Sequence, residues 1–469
     1  MKSFIALLML SSQLVFGQFV FGRDAPQLAE VLESAKAHFP TIQAAVQERL
    51  IREGRLQSAL GAFDLALEQD GKVWASGFYE GLSLDNKLVK PLPWANAKAF
   101  AGYRVTNDDF PIYQQELVTN DGGEFNVGVI FSLWRDRAID DRRFKISKAE
   151  LDIEQAELDL FLAKLTTQRA AASAYWRWVA AGQRFGVFQR LTGLAEKRME
   201  GLEERVAAGD VAKIFVTENR QNLLRRQAIM RQSELDFQAA AIELSLYWRD
   251  AEGTPQILPS SVLPAAFSAP AAGVADPEQL AAEILNQRPE LARIENRLAL
   301  ERRRLALAEN ALLPRVDVGV KASHDLGAGS RTREGFESII DFSISIPLER
   351  RTGLGQVASA QAAMEKLKWE RTLTENRLST EIIKLATTLN AARDFVAITA
   401  DEASQALVLE EAERIRFAAG DSDFFVVNLR EERSADASIR NLDSSLKYHL
   451  SRVNLQAISM DLEALRLSQ

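Results

Sequence analysis

The sequence contains no cysteine. Disulfides, thiolate metal sites and a cysteine lipid anchor are thereby excluded. Histidine is almost as scarce. His38, His324 and His449 lie far apart, which argues against a zinc site or a histidine-based triad. No run of Lys or Arg interrupts a chain of net charge −8, so a nucleic-acid partner is not expected. There is no Walker-type phosphate loop and no catalytic constellation, and the chain reads as a non-enzyme without cofactor or metal. Past the N-terminus no stretch of 18 uncharged apolar residues occurs, as a transmembrane helix would need. Hydrophobic residues at 47% and charged residues at 26% of 469 residues still argue for an ordered chain.

The N-terminus reads MKSFIALLMLSSQLVFGQ, with Lys2 before a mostly apolar run from Phe4 to Phe16 and small residues at Gly17 and Gly22. This is the pattern of a secretory signal peptide over residues 1–17, with cleavage as late as 22; a buried N-terminal helix is the alternative. An exported chain without a transmembrane helix is either soluble outside the cytoplasm or crosses a membrane as a β-barrel.

Residues 23–250 and 278–469 read as two copies of one plan. FPTIQAAVQERL at Phe39 answers RPELARIENRLAL at Arg288, each with Pro in the first helical turn, where a missing N–H costs nothing. Each helix runs into a short alternating stretch, Phe63–Leu67 in the first copy and Val316–Val320 in the second. A second stretch comes later in each, NVGVIFSL from Asn126 and DFSISIPL from Asp341. Residues 251–277 between the copies hold five of the chain's 13 prolines and read as an extended connector. The interval 68–125 is far longer than its counterpart at 321–337, and its aromatics predict ordered structure within it.

The strands alternate with period two. Val316, Val318, Val320, Phe342, Ile344 and Ile346 fall on one face; Asp64, Asp317, Asp341, Ser343 and Ser345 fall on the other. A half-buried sheet of a soluble domain and a membrane barrel both fit that pattern. Four strands cannot close a membrane barrel alone, so the barrel reading requires several chains. The long helical stretches carry heptad seams: Ile146, Ala149, Ile153, Ala156, Leu160 and Ala163 in one, Leu378, Ile382, Leu385, Leu389, Ala392 and Val396 in the other. The first stretch, Asp140 to Gly209, would span roughly 105 Å as one helix, which suits a conduit better than a compact domain.

Arg-x-Ala-Ala-Gly-Asp occurs twice, from Arg205 to Asp210 and from Arg416 to Asp421. Gly209 and Gly420 suit the residue that ends a helix, where φ is positive. Asp210 and Asp421 are then expected to cap the returning helices, whereas Asp423 is less easily explained as a cap. Arg205 and Arg416 sit where positive charge favours a helix C-terminus.

Two-fold repeat, paired strands, Pro-rich midpoint and paired hairpins together resemble the TolC-like outer-membrane efflux family. The most specific pieces are RPEL (Arg288–Leu291), ALLPRVDVGV (Ala311–Val320), SISIPLERRTGLGQVASA (Ser343–Ala360) and YWRWVAAG (Tyr175–Gly182). The resemblance implies a mainly α fold in which long antiparallel helical hairpins form a periplasmic α-barrel. It also implies four strands per chain in a trimeric twelve-stranded transmembrane β-barrel. Further implications are a homotrimer in outer-membrane lipid, a periplasmic adaptor protein and an inner-membrane pump as partners, and passive export of small molecules or proteins. Arg205, Gly209, Asp210, Arg416, Gly420, Asp421 and Asp423 are then candidates for a periplasmic tip, gate or adaptor contact, and Asp64, Asp317, Asp341, Ser343 and Ser345 for a lumen wall. Well-known members carry a ring of acidic residues about six and nine positions past the tip glycine; here those positions hold Phe215 and Glu218, and Val426 and Leu429. The competing reading is a periplasmic coiled-coil adaptor or structural protein without a channel.

Overall fold

A computed structural model describes residues 25–107, 118–333 and 335–468; the expected signal peptide lies outside the described residues. Helices α1 (Leu28–His38) and α2 (Pro40–Leu60) lead into β1 (Ala66–Trp74), β2 (Gly81–Pro91), β3 (Lys98–Asn107) and β4 (Glu124–Ser132). Helices α3 (Asp141–Ala207) and α4 (Ile214–Ser245) complete the first half. The second half runs α5 (Pro277–Leu285), α6 (Pro289–Asn310), β5 (Arg315–Asp325), β6 (Phe336–Ser345), α7 (Arg351–Ala418) and α8 (Phe424–Ile458).

Two helices dominate: α3 has 67 residues and α7 has 68, each about 100 Å long. Asp140 starts the first of them. Its carboxylate accepts from the backbone N–H of Arg142 and Arg143, and the Arg143 guanidinium returns to it at 2.7 Å. The returning helices are half as long, 32 residues in α4 and 35 in α8. The rest of each long helix is flanked by α2 or α6, so the helices form one layer in the order α2 with α4, α3, α6 with α8, α7. Small residues let that layer close. Leu378, Ile382, Leu389, Ala392 and Val396, members of the second heptad seam, are all buried.

The interval between α4 and α5 packs across the layer. Trp178 and Phe237 are fully buried and stack with ring centroids 6.1 Å apart, beside Leu32 of α1 and Leu258. A Cβ on Gly182 would fall 2.5 Å from the ring of Pro264, so glycine is needed for α3 to receive the connector. On α7, Asn390 exchanges two hydrogen bonds with the backbone of Val274, at 2.9 and 2.8 Å. The Trp-rich YWRW segment is thus helix packing around a belt that ties α3, α7 and α8 together.

The strands form a single antiparallel sheet in sequence order, β1 to β6. The expectation of four strands is corrected to six. β2 and β3 occupy the long interval of the first half, and β1 extends to Trp74. The period-two signal of β1 fades because Gln69 and Gly71 interrupt the apolar row of Leu67 and Val73. Asp64 is corrected as well: it stands outside any strand. The chain closes α2 with a 3-10 turn at Gly61–Phe63, Asp64 donates its N–H to the Gly61 carbonyl at 3.1 Å, and extended pairing starts at Ala66.

Candidate functional site

The register fixes two faces of the sheet. Leu67 and Val73, Leu82, Leu84 and Leu88, Val105 and Tyr103, Phe125, Val127, Val129 and Phe131, Val316, Val318 and Val320, and Phe336, Ile340, Phe342 and Ile344 share one face. That face is uncovered; Phe342 is 76% exposed and Leu67 72%. An uncovered apolar surface of this extent marks a site of association with lipid or protein.

The opposite face is polar and wired across strands. Glu124 lies between Arg104 of β3 and Lys321 of β5, with the lysine at 2.7 Å and the arginine in direct contact. Ser132 donates to Asp317 at 2.7 Å, and Arg315 reaches the same carboxylate at 2.6 Å. Asp341, Ser343 and Ser345 lie in the same row sense as Asp317, and a Cβ on Gly319 would fall 2.4 Å from the Asp341 carboxylate. Asp317, Asp341, Ser343 and Ser345 therefore share one polar face, and only Asp64 is missing from it. At the strand ends remote from the helices this face holds a cleft of ≈ 810 Å³ lined by Arg104, Glu124, Lys321, Arg333 and Glu337.

The two hairpin ends have the same backbone. Gly209 has φ +82° and Gly420 φ +81°. The Asp210 N–H donates to the Arg205 carbonyl at 2.9 Å and the Gly209 N–H to Val206 at 3.0 Å; Asp421 repeats this with Arg416 at 2.9 Å and Gly420 with Phe417 at 3.1 Å. These are paired Schellman closures, and they account for the glycine of the repeated sextet; each Asp contributes its backbone N–H. The capping expectation is corrected accordingly. Lys213 precedes α4 with no side-chain cap, whereas Asp423 accepts from the Val426 N–H at 2.9 Å and caps α8. Four residues separate Gly209 from α4 and three separate Gly420 from α8, so the Asp next to each glycine is too far back to cap the returning helix. Arg416 also pairs with Asp421 at 3.7 Å and with Glu413 at 3.5 Å, and Ser422 donates to Glu413 at 2.5 Å. Gly209, Arg205 and Asp210 form one end; Arg416, Gly420, Asp421 and Asp423 form the other.

Above the ends lies a cluster that sequence reading missed. Glu431 of α8 is fully buried and takes Arg226 of α4 at 2.8 Å and Arg198 of α3 in direct contact. Arg226 also donates to the Leu191 carbonyl at 3.0 Å. Burial pulls the Arg226 guanidinium below its ordinary value, and Glu431 opposes that. In sequence these residues read as solvated helix faces, and their partners are more than 200 positions away. Arg198, Arg226 and Glu431 join three helices and leave no group free for chemistry. Among the described residues no cluster of three or more His, Asp or Glu side chains could hold a metal ion.

A sheet with one bare apolar face, continuous with helices about 100 Å long, is the fold of outer-membrane channels of the TolC type. The solved structures agree. The outer-membrane protein VceC from Vibrio cholerae superimposes with TM-score 0.65 and 16% identity over 92% of this chain and 96% of that one. The Campylobacter jejuni CmeC outer-membrane channel gives 0.64 and 12% over 92% and 85%. The open state of the Neisseria gonorrhoeae MtrE outer-membrane channel gives 0.63 and 14% over 92% and 89%. No family model and no curated protein matches the sequence, so the likeness is one of fold.

Proposed function

We propose that the protein is the outer-membrane channel of a multi-component efflux or secretion system, a passive conduit from the periplasm or cytoplasm to the exterior. The observation that carries this reading is the two-faced sheet joined to α3 and α7. All six strands have 9 to 11 residues, the length that spans a bilayer as a tilted barrel strand. Edge strands cannot stay open in lipid, because each unpaired backbone group there costs several kcal/mol. Three copies closing on one another remove the edges. The apolar face then meets lipid, and Asp317, Asp341, Ser343 and Ser345 line the lumen.

The helical layer is built for the same closure. Its two borders expose apolar residues: Leu224, Leu235 and Ile242 on α4, and Trp369, Leu373, Phe395 and Ile398 on α7. Joined border to border, three layers make a tunnel through the periplasm. Its end carries Arg205, Gly209, Asp210, Arg416, Gly420, Asp421 and Asp423, where a periplasmic adaptor docks and an inner-membrane pump supplies energy. Mass measurement of the detergent-extracted particle, with single-channel recording in a planar bilayer, tests this reading. The expected particle holds three chains and conducts; a single-chain particle of native strand content that never conducts overturns it.

A further inference from the structure

We propose that the channel closes by pairing β1 of one copy with β6 of the next, so that every strand of each chain becomes a stave and the barrel has eighteen. This rests on the channel reading above, and it departs from the twelve staves that four strands per chain would give.

β1 and β6 are the two edges of the sheet. β1 leaves the helical layer from α2 and β6 returns into α7, so the edges are antiparallel and lie above the two borders of the layer. Neighbouring copies that meet border to border below thus bring β1 to β6 above. The strands also match in length, 9 residues against 10.

The faces say that β1 and β2 belong to the wall. Leu67, Val73, Leu82, Leu84 and Leu88 continue the apolar face, while Glu68, Asp70, Lys72, Asp85 and Lys87 continue the polar one. A hairpin folded away into water would leave that apolar row without purpose. The turn between β2 and β3 is fixed as well. The Ser132 N–H donates to the Ala95 carbonyl at 2.8 Å, and Trp94 meets Phe131 on the apolar face with centroids 6.4 Å apart. Tyr103 and Phe125 form a second aromatic contact at 4.8 Å toward the other end. Aromatic bands at both ends of an apolar wall mark the two membrane interfaces.

Width supports the same count. At a strand tilt of ~40°, six strands cover an arc of about 38 Å and four cover about 25 Å. Four helices abreast at ~9–10 Å cover about 36–40 Å. Six staves continue the helical layer without a taper.

Alternation sets the parity of the contact. Even-numbered residues of β1 share the polar face with odd-numbered residues of β6. The natural chain has no cysteine, so introduced pairs report without background. Asp70→Cys is combined in turn with Ile339→Cys, Asp341→Cys or Ser343→Cys, and the membrane fraction is oxidised. We expect covalent ladders ending at three chains for at least one pair, and no ladder when Asp70→Cys is combined with Ile340→Cys. Lys98→Cys on β3 with Ser343→Cys or Ser345→Cys reports the four-strand closure. Ladders there, with none from β1, overturn the eighteen-stave barrel and leave the channel standing. No ladder at either position, with a single-chain particle in detergent, overturns both. Imaging of the untouched particle gives the stave count independently, eighteen if the proposal holds and twelve if it fails.

Discussion

The hairpin end of the first half and that of the second share a sextet and a backbone closure and differ in the side-chain contacts around it. Both close with glycine at positive φ and the same pair of backbone bonds. In the second, Asp423 caps α8, and Glu413, Ser422, Arg416 and Asp421 form a local ionic network. In the first, α4 starts after Lys213 without a side-chain cap. The strands differ in the same way, four in the first half and two in the second. The two ends thus keep the same backbone closure while the surrounding side-chain contacts differ.

The strongest way to break the comparison is to remove a group that one half has and the other lacks. Glu431→Ala leaves Arg198 and Arg226 without their buried carboxylate, which should cost about 3–5 kcal/mol. The position one repeat earlier, Arg220, is exposed, and Arg220→Ala should leave the thermal midpoint of the helical signal unchanged. Equal losses at both positions would show that the cluster is not specific to the second half.

Next come the strands. Val318→Arg, Ile344→Arg and Leu84→Arg should each oppose membrane insertion by roughly 2–4 kcal/mol, whereas Ser345→Arg should insert and alter conductance. Leu84 extends the test to the strands peculiar to the first half; normal insertion of Leu84→Arg beside failure of Val318→Arg would place β2 away from lipid.

A pH titration sharpens the contrast at the belt. His449 is buried and stacks on Trp176 at 3.9 Å and on Phe267 at 5.2 Å. Burial pulls its imidazole down to about 4, with Arg452 adding to the effect and a backbone hydrogen bond at Ser268 opposing it. The folded value lies below the ordinary 6.5, so the unfolded chain takes up the proton first. This contribution is complete above pH 6.5 and is lost as pH falls from 6.5 toward 4, reaching about 2 kcal/mol at pH 5. His449→Phe should flatten that slope in acid melts; an unchanged slope would assign it elsewhere.

The smallest effect is at the caps. Asp423→Ala should cost about 0.5–2 kcal/mol and Asp423→Asn much less, since asparagine caps equally well. Asp210→Ala and Asp421→Ala should cost less than Asp423→Ala, as their side chains cap no helix. Charge is read separately: the triple Asp→Asn variant at 210, 421 and 423 should lose cation preference or adaptor binding in a salt-dependent manner if these residues set the field at the tip.

Much of the helical plan was legible, because sustained 3–4 spacing at Ile146–Ala163 and Leu378–Val396 and a repeated Gly-Asp sextet are strong local signals. In the seam at Leu378–Val396 every member but the half-buried Leu385 is buried, as its spacing requires. β2 and β3 were not legible as strands, since Asn86 and Lys90 dilute the apolar row of β2 and pairing with neighbours defines both, and β1 was legible only at its start because Gln69 and Gly71 interrupt its row. Which Asp caps which helix depends on how many residues the turn consumes, and composition does not reveal that. The Arg198–Arg226–Glu431 cluster depends on three helices meeting, and no window of sequence contains it.

The belt has a mechanical consequence. At Gly182, α3 is pressed against Pro264, and Gln183 donates to the Pro264 carbonyl at 2.9 Å. Gly209, just past the end of this helix, lies 27 residues further along the chain, about 40 Å away. Beyond that point α3 stays packed on α4 and α8, so the three helices together act as the lever and the belt is its fulcrum. A tilt of ~5° at Gly182 carries the far end about 3–4 Å sideways by helix geometry alone. Glu431, gripping α3 and α4 between fulcrum and end, ties both helices to α8 and makes that sweep a movement of three helices together.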